Sequence, residues 1–347
     1  MSLVVVTGGA GYVGSHAVKA LAASGRDVLI VDNLSAGHRE AVARIAAAFP
    51  ERAIELIEGD TADLTLLINL FERVEPAAVM HFAAWLSVPD SVRDPAGYYR
   101  NNVIGTLSLL EAMARTGVSR FVFSSTCAVF GEPRTVPIDE THPHSPINAY
   151  GETKLAVERA LGHFDTAYGL RSIALRYFNA SGADPDGMLG EDHDPEIHLI
   201  PRAIMAATGG EPLRIFGDDY PTPDGTCQRD YVHVSDLADA HMLALSRLEG
   251  GARSGVYNLG NGTPLSVREV IDAVERVSGR KVPHVTGPRR PGDPATLVAS
   301  SALAHRELGW QPRLASIDAI VGTAWRWHQA HPRGYASMDD RRLRGLP

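Results

Sequence analysis

Residues 3–14 restrict the fold more than any other part of this chain. Leu3–Thr7 is a β-branched run bounded by Gly8, the pattern of a strand buried on both faces of a parallel sheet. Gly8-Gly9-Ala10-Gly11-Tyr12-Val13-Gly14 then opens a helix that runs to about Ser24, with Gly25 as its stop. Gly8, Gly11 and Gly14 are spaced G-x2-G-x2-G, which lets backbone approach a pyrophosphate lying on the helix N-terminus. A second strand over 27–31 ends at Asp32, 18 residues after Gly14. That is where a carboxylate accepts hydrogen bonds from an adenosine ribose. Asn33-Leu34-Ser35 follow with no arginine or lysine to meet a 2′-phosphate, so the cofactor expected is NAD rather than NADP.

Strand and helix keep alternating through the first half. Ile54–Glu58 leads into Gly59-Asp60-Thr61, placed to touch the adenine. The strand 77–82 leads through Phe82 into Ala83-Ala84, small residues that admit a cofactor. Residues 95–115 read as one long helix carrying Asn101-Asn102, either of which is a candidate cofactor contact. Residues 119–125 read as a further apolar strand. Alternating βαβ units predict an α/β, Rossmann-like, doubly wound parallel sheet with its site at the carboxyl ends of the strands.

Composition narrows the partners. A net charge of −8 speaks against nucleic acid, and no run approaches the ~18 apolar residues of a membrane span. Cys127 and Cys227 are the only cysteines and have no metal-ligand or disulfide spacing, which fits a reducing, cytoplasmic setting. His142/His144 and His328/His331 lack carboxylates or cysteines at ligand spacing, so no metal is expected.

Tyr150-Gly151-Glu152-Thr153-Lys154 carries the chemistry. A spacing of four puts tyrosine and lysine on one helix face, where an ammonium favours the phenolate and makes it a base for a substrate hydroxyl. With only three lysines and 10 tyrosines in the chain, chance supplies about 0.1 such pairs. Ser124-Ser125-Thr126 ends the preceding strand at the same edge, and one of its hydroxyls could share that substrate oxygen.

Together these residues resemble the extended short-chain dehydrogenase/reductase family, and within it the UDP-glucose 4-epimerases, across essentially the whole chain. The markers include Thr7–Gly14 with Ser15-His16, Asp32-Asn33-Leu34, His81-Phe82-Ala83-Ala84 and Tyr98-Tyr99-Arg100-Asn101-Asn102. Tyr150-Gly151-Glu152-Thr153-Lys154, Leu175-Arg176-Tyr177-Phe178-Asn179 and Gly190-Glu191-Asp192 continue the series. Phe216-Gly217-Asp218-Asp219-Tyr220-Pro221-Thr222, Arg229-Asp230-Tyr231-Val232-His233-Val234 and Arg289-Arg290-Pro291-Gly292-Asp293 complete it. The Phe-Gly and Arg-Asp-Tyr segments are the ones most specific to the epimerase branch.

The resemblance implies epimerisation at C4 of a UDP-hexose through a transient 4-keto sugar, without net redox change. Thr126 and Tyr150 would bracket the 4-hydroxyl, and Lys154 would hold the nicotinamide ribose. Cofactor contacts are further implied for Tyr12, Val13, Asp60, Thr61, Asn101, Ser124 and Tyr177. Arg229 and Arg290 would fork the diphosphate, with Asn179 and Leu199 at phosphate and uracil and Asp293 at a ribose hydroxyl. Phe178 and Ile215 complete the substrate contacts. Leu297 stands where members restricted to UDP-glucose and UDP-galactose tend to carry tyrosine, so room for a 2-N-acetyl group is expected. Leu86 departs from members with lysine there. The implied organisation is an NAD-binding domain over 1–179, rejoined by about 229–262, and a UDP-sugar-binding domain over 180–347. A homodimer is also implied.

Two rival readings remain. A nucleotide-sugar 4,6-dehydratase needs an Asp-Glu pair after the threonine, where this chain has Cys127-Ala128. A non-catalytic NAD-binding sensor commonly loses the tyrosine or the lysine, and both are kept.

Overall fold

The computed structural model describes residues 2–290 and 293–335. Pro291 and Gly292 of the last family motif, and 336–347 of the expected second domain, lie outside the described residues. Seven strands build one sheet: β1 (Leu3–Thr7), β2 (Asp27–Asp32), β3 (Ile54–Glu58), β4 (Ala78–His81), β5 (Arg120–Thr126), β6 (Arg171–Tyr177) and a late strand, Gly255–Leu259. The order across the sheet is Gly255–Leu259, β6, β5, β4, β1, β2, β3. Every neighbouring pair is parallel. The winding reverses between β1 and β4, and at such a switch point the strand ends leave an open crevice.

The β-branched strands are covered on both faces, as their continuous apolar runs demand. Val4 and Val6 of β1 face a layer that includes the helices Tyr12–Ala23 and Val234–Glu249. Val5 faces the helices Leu64–Val74, Gly105–Thr116 and Ala149–Tyr168. Each of these valines is fully buried, which stabilises the fold by ~1.5–3 kcal/mol apiece.

The single helix expected over 95–115 is instead broken into Pro95–Tyr98, a π-helical turn over Tyr99–Ile104, and Gly105–Thr116. Inside that turn Asn102 is buried and clamps another segment. Its Oδ1 accepts from Trp85 N at 2.9 Å and its Nδ2 donates to Trp85 O at 3.0 Å. A widened turn commonly serves to re-aim one side chain.

After β6 the chain builds a second apolar core from the helices Leu199–Ala207, Val267–Ser278 and Ile317–Ala330 and the strand Leu213–Phe216. Ser266 and Glu269 form a reciprocal capping box on the second of these helices. A short strand, Gln228–Arg229, lies between Leu265–Ser266 and Thr296–Leu297. Val234–Glu249 and Gly255–Leu259 pack on and pair with the sheet in between. Among the described residues no helix is long and apolar enough to cross a membrane.

Candidate active site

A cleft of about 760 Å³ opens along the carboxyl ends of the sheet strands. Its floor is the glycine turn. Gly8 has φ +74°, and a Cβ there would stand 2.4 Å from Ala83 N, while a Cβ on Gly14 would stand 2.1 Å from Gly8 O. The turn therefore tolerates no side chain at either position. Gly11 caps the following helix with no side-chain acceptor, so the first amides remain free to meet an anion. Phe82, Ala83 and Ala84 also line the cleft, with Phe82 and Ala83 directly against Gly8. The Tyr12 hydroxyl donates to Gly182 O at 2.6 Å, fastening the turn to the start of the second lobe.

Asp32 lines the cleft and also holds its shape. Its carboxylate accepts from Ala10 N and Leu34 N, both at 2.9 Å. Burial pushes this carboxyl up, and the two amides oppose that. Asn33 lines the cleft and donates to Asp60 Oδ2 at 3.0 Å. Asp60 is exposed to solvent and is not among the residues lining the cleft. Its other oxygen caps Ala62 N at 2.8 Å, so Thr61 is the member of the pair that reaches the cavity. Of the two candidate asparagines, Asn101 lines the cleft and Asn102 is the buried clamp.

At the far end Asn148 caps the Ala149–Tyr168 helix by accepting from Gly151 N at 2.9 Å. A Cβ on Gly151 would lie 2.5 Å from Ala128 O, so this helix start sits directly on the turn that follows Thr126. Tyr150 lines the cleft, with the Thr126 hydroxyl near enough to act on its phenol. Lys154, one helical turn on, is buried and donates to Ser124 O at 2.8 Å, with its ammonium 4.9 Å from the Phe123 ring centre. The hydroxyls of Ser124 and Tyr177 are hydrogen-bonded to each other. The expected lowering of the tyrosine by its lysine does not hold for the polypeptide alone. Burial dominates and pushes the Tyr150 phenol up, aided by Tyr177 and opposed by the Thr126 hydroxyl. The same burial pulls Lys154 down to about 7, with Glu158 opposing.

The second lobe presents a cationic cluster. Arg229 and Arg290 both pair with Asp293, the latter at 3.3 Å, and Arg290 lies 4.5 Å from the Phe216 ring centre. Leu297 stands beside Arg229 in register and packs with Phe178 and Cys127. Arg229 also acts electrostatically on Cys127, which connects the arginines to the Thr126 turn.

The chain matches the model of the NAD dependent epimerase/dehydratase family over residues 4–260. The chain belongs to that family. It is 49% identical to the UDP-glucose 4-epimerase of Lacticaseibacillus casei, over 97% of this chain and 99% of the other. The UDP-glucose 4-epimerase of Brucella ovis, solved in complex with NAD, superposes with a TM-score of 0.89 at 49% identity, covering 94% and 98% of the two chains. The UDP-Glc/GlcNAc 4-epimerase of Campylobacter jejuni gives 0.83 at 40% identity, covering 95% and 100%.

For a member of the epimerase/dehydratase family, most predicted cofactor positions gather on one cavity: Gly8, Gly11, Tyr12, Val13, Gly14, Asp32, Asn33, Thr61, Phe82, Ala83, Ala84, Asn101, Ser124, Tyr150, Lys154 and Tyr177 all line it. Phe178 and Asn179 do as well. Ile215 does not fit its expected role. Its side chain is 1% exposed inside the second core and is closed to any ligand. Leu199 packs against that core as the first residue of its helix.

Sequence reasoning passed over one constellation. Glu191, His193, Glu196 and His198 each bring one ligand-type atom to within 4.8 Å of the others. His193 and His198 line the cleft. Burial disfavours a charged His193, but Glu191 and Glu196 outweigh it and push this imidazole up to about 10. The signal was present in the sequence as two Glu and two His within residues 191–198, a stretch that belongs to no helix or strand.

Proposed function

We infer that this protein is an NAD-dependent epimerase acting at C4 of a UDP-hexose, interconverting UDP-glucose and UDP-galactose. The observation that carries this reading is the Tyr150–Thr126 hydroxyl pair, set at the carboxyl edge of the sheet with Lys154 buried behind it.

The uncapped helix start after Gly11 and the two Cβ-intolerant glycines suit a pyrophosphate, and Asp32 suits an adenosine ribose. When bound, NAD⁺ supplies the acceptor that takes hydride from C4 and gives it back, so the sugar passes through a transient 4-keto form. Tyr150 takes the 4-hydroxyl proton and later returns it. Thr126 donates to the same oxygen and holds it at the phenol. Lys154 lends positive charge to the tyrosine face and binds the nicotinamide ribose, and a cationic cofactor adds to the pull on the phenol. Arg229 and Arg290 bind the diphosphate, exchanging part of their pairing with Asp293 for phosphate oxygens. Asn179 and Leu199 support phosphate and uracil.

The NAD unit comprises 1–179 with 229–262, and the UDP-sugar unit the rest of 180–347; the separate apolar core of the second lobe supports this division. Against a 4,6-dehydratase stands Cys127, whose thiol burial pushes up to about 12 and which offers no carboxylate for elimination. Leu297 supports turnover of UDP-N-acetylhexosamines as well, in keeping with the Campylobacter relative. The exposed apolar residues Val92, Tyr99 and Ile104, clustered in residues 92–104, support a homodimer. The free thiols of Cys127 and Cys227 support a cytoplasmic setting.

The deciding experiment incubates the enzyme separately with UDP-galactose and UDP-N-acetylgalactosamine and follows C4 inversion by NMR. Formation of UDP-glucose is expected; 4-keto-6-deoxy product, or no change in either, overturns the assignment. Sedimentation at several concentrations tests the dimer, which a monomer throughout would exclude.

A further inference from the structure

Glu191, His193, Glu196 and His198 sit in the eight residues that lead into the Leu199–Ala207 helix. His193 Nδ1 lies 3.2 Å from Glu191 Oε1 and 3.7 Å from Glu196 Oε2. His198 Nδ1 meets the same Glu191 oxygen and lies 3.6 Å from Glu196 Oε1. The Glu191 and Glu196 side chains are only 3% and 7% exposed. Among the described residues, neither carboxylate has an arginine or lysine partner within 4.0 Å; their only ion-pair partners are the two imidazoles. Two buried carboxylates require compensating positive charge, and here none comes from a fixed cation.

His198 Nδ1 is hydrogen-bonded to Glu191 Oε1, but His193 is not so paired. His193 Nδ1 is buried and makes no hydrogen bond of acceptable geometry, although a carboxylate oxygen stands 3.2 Å away. Glu196 is held in place from behind, its Oε1 accepting from Ile197 N at 2.7 Å and His198 N at 2.8 Å. The main chain of Glu191 is held by Trp327, whose Nε1 donates to the Glu191 carbonyl at 3.3 Å.

We propose that Glu191, His193, Glu196 and His198 bind one divalent transition-metal ion of the zinc class. Two imidazole nitrogens and two carboxylate oxygens match a four-coordinate zinc site, whereas calcium and magnesium take oxygen ligands. Four protein ligands close the coordination, so the ion is structural. It staples the 191–198 wall of the cleft, and through the edge-on contact of His193 with Tyr12, 6.2 Å between ring centres, it braces the glycine turn. This site does not depend on the assigned reaction.

The test uses untagged enzyme, stripped with EDTA and dialysed, titrated with zinc chloride by calorimetry, with bound metal counted by plasma mass spectrometry. One zinc per chain is expected. His193→Ala and the near-isosteric Glu196→Gln should each weaken zinc binding at least tenfold, while His163→Ala, on an exposed helix position, leaves it unchanged. Circular dichroism confirms that each variant is folded. Cobalt(II) in place of zinc should give the intense visible bands of a four-coordinate ion. Failure of the stripped wild type to bind zinc, equal affinity in His193→Ala and Glu196→Gln, or a six-coordinate cobalt spectrum would each overturn the proposal.

Discussion

The Lys154 ammonium donates to the Ser124 carbonyl at 2.8 Å, so the helix that carries Tyr150 is tied by this cation to the end of the strand that carries Thr126. Tyr150, one turn earlier, is thereby held over the cleft while its lysine neighbour is withdrawn from solvent. The pair combines a phenol that burial makes less acidic with an ammonium that burial makes more acidic. The proposed proton transfer would therefore draw on charge brought in with the ligands.

Tyr150→Phe removes the proposed proton acceptor and little else. Turnover should fall by ~10²–10⁴-fold, while NAD content and UDP affinity stay within twofold. Initial rates and calorimetry check this; a variant with near wild-type turnover would remove Tyr150 from the proposed role.

Lys154→Met should abolish most activity yet stabilise the NAD-free protein. The buried amine titrates near 7 in the fold and near 10.5 unfolded. Between those values the unfolded chain holds the extra proton, so wild-type stability rises with pH across that window and is lowest below it. The variant should lose that slope and gain about 2–4 kcal/mol at pH 7. Urea melts at pH 7, 8 and 9 decide it, and a flat wild-type profile would contradict the burial argument.

Glu158→Gln breaks a buried pair. Glu158 accepts from Arg176 Nε at 2.9 Å and from Ser125 Oγ at 2.5 Å, and both ionic side chains are nearly inaccessible. The orphaned guanidinium should cost ~3–5 kcal/mol, and a joint Glu158→Gln, Arg176→Met replacement should recover most of it. Denaturant midpoints for the three proteins test the coupling. Additive losses would show that the pair does not act as a unit.

Leu297→Tyr should narrow the substrate range. A ring at this position, beside Arg229 and Phe178, fills space next to the proposed sugar site. The ratio of UDP-N-acetylgalactosamine to UDP-galactose turnover should drop at least tenfold with little change for UDP-galactose. An unchanged ratio would place the N-acetyl group elsewhere.

What the sequence made legible was whatever follows from local pattern. The Leu3–Thr7 strand, the Gly8–Gly14 turn and Asp32 were readable because apolar runs, glycines and a strand-end acid declare themselves at short range. The break at Tyr99–Ile104 was not, because a π turn is selected by what Asn102 reaches, the backbone of Trp85, and that partner is known only after folding. The sidedness of Lys154 was hidden for a related reason. Helical spacing puts it near Tyr150, but the strand beneath decides where its ammonium points. Ile215 was assigned through its motif, and only the packed second core shows its side chain turned inward. The cluster over 191–198 escaped because a loop, unlike a helix or strand, sets no period by which convergent side chains can be counted.

The last strand of the parallel sheet, Gly255–Leu259, comes from sequence beyond the point where the second lobe has begun. A polypeptide ending near residue 179 would carry the whole cofactor fingerprint and Tyr150, yet leave the outer edge of β6 bare, an open template for another chain. During synthesis the nucleotide-binding half thus waits for roughly eighty further residues before its border is sealed, and neither half can be harvested as a self-sufficient fragment by a single cut.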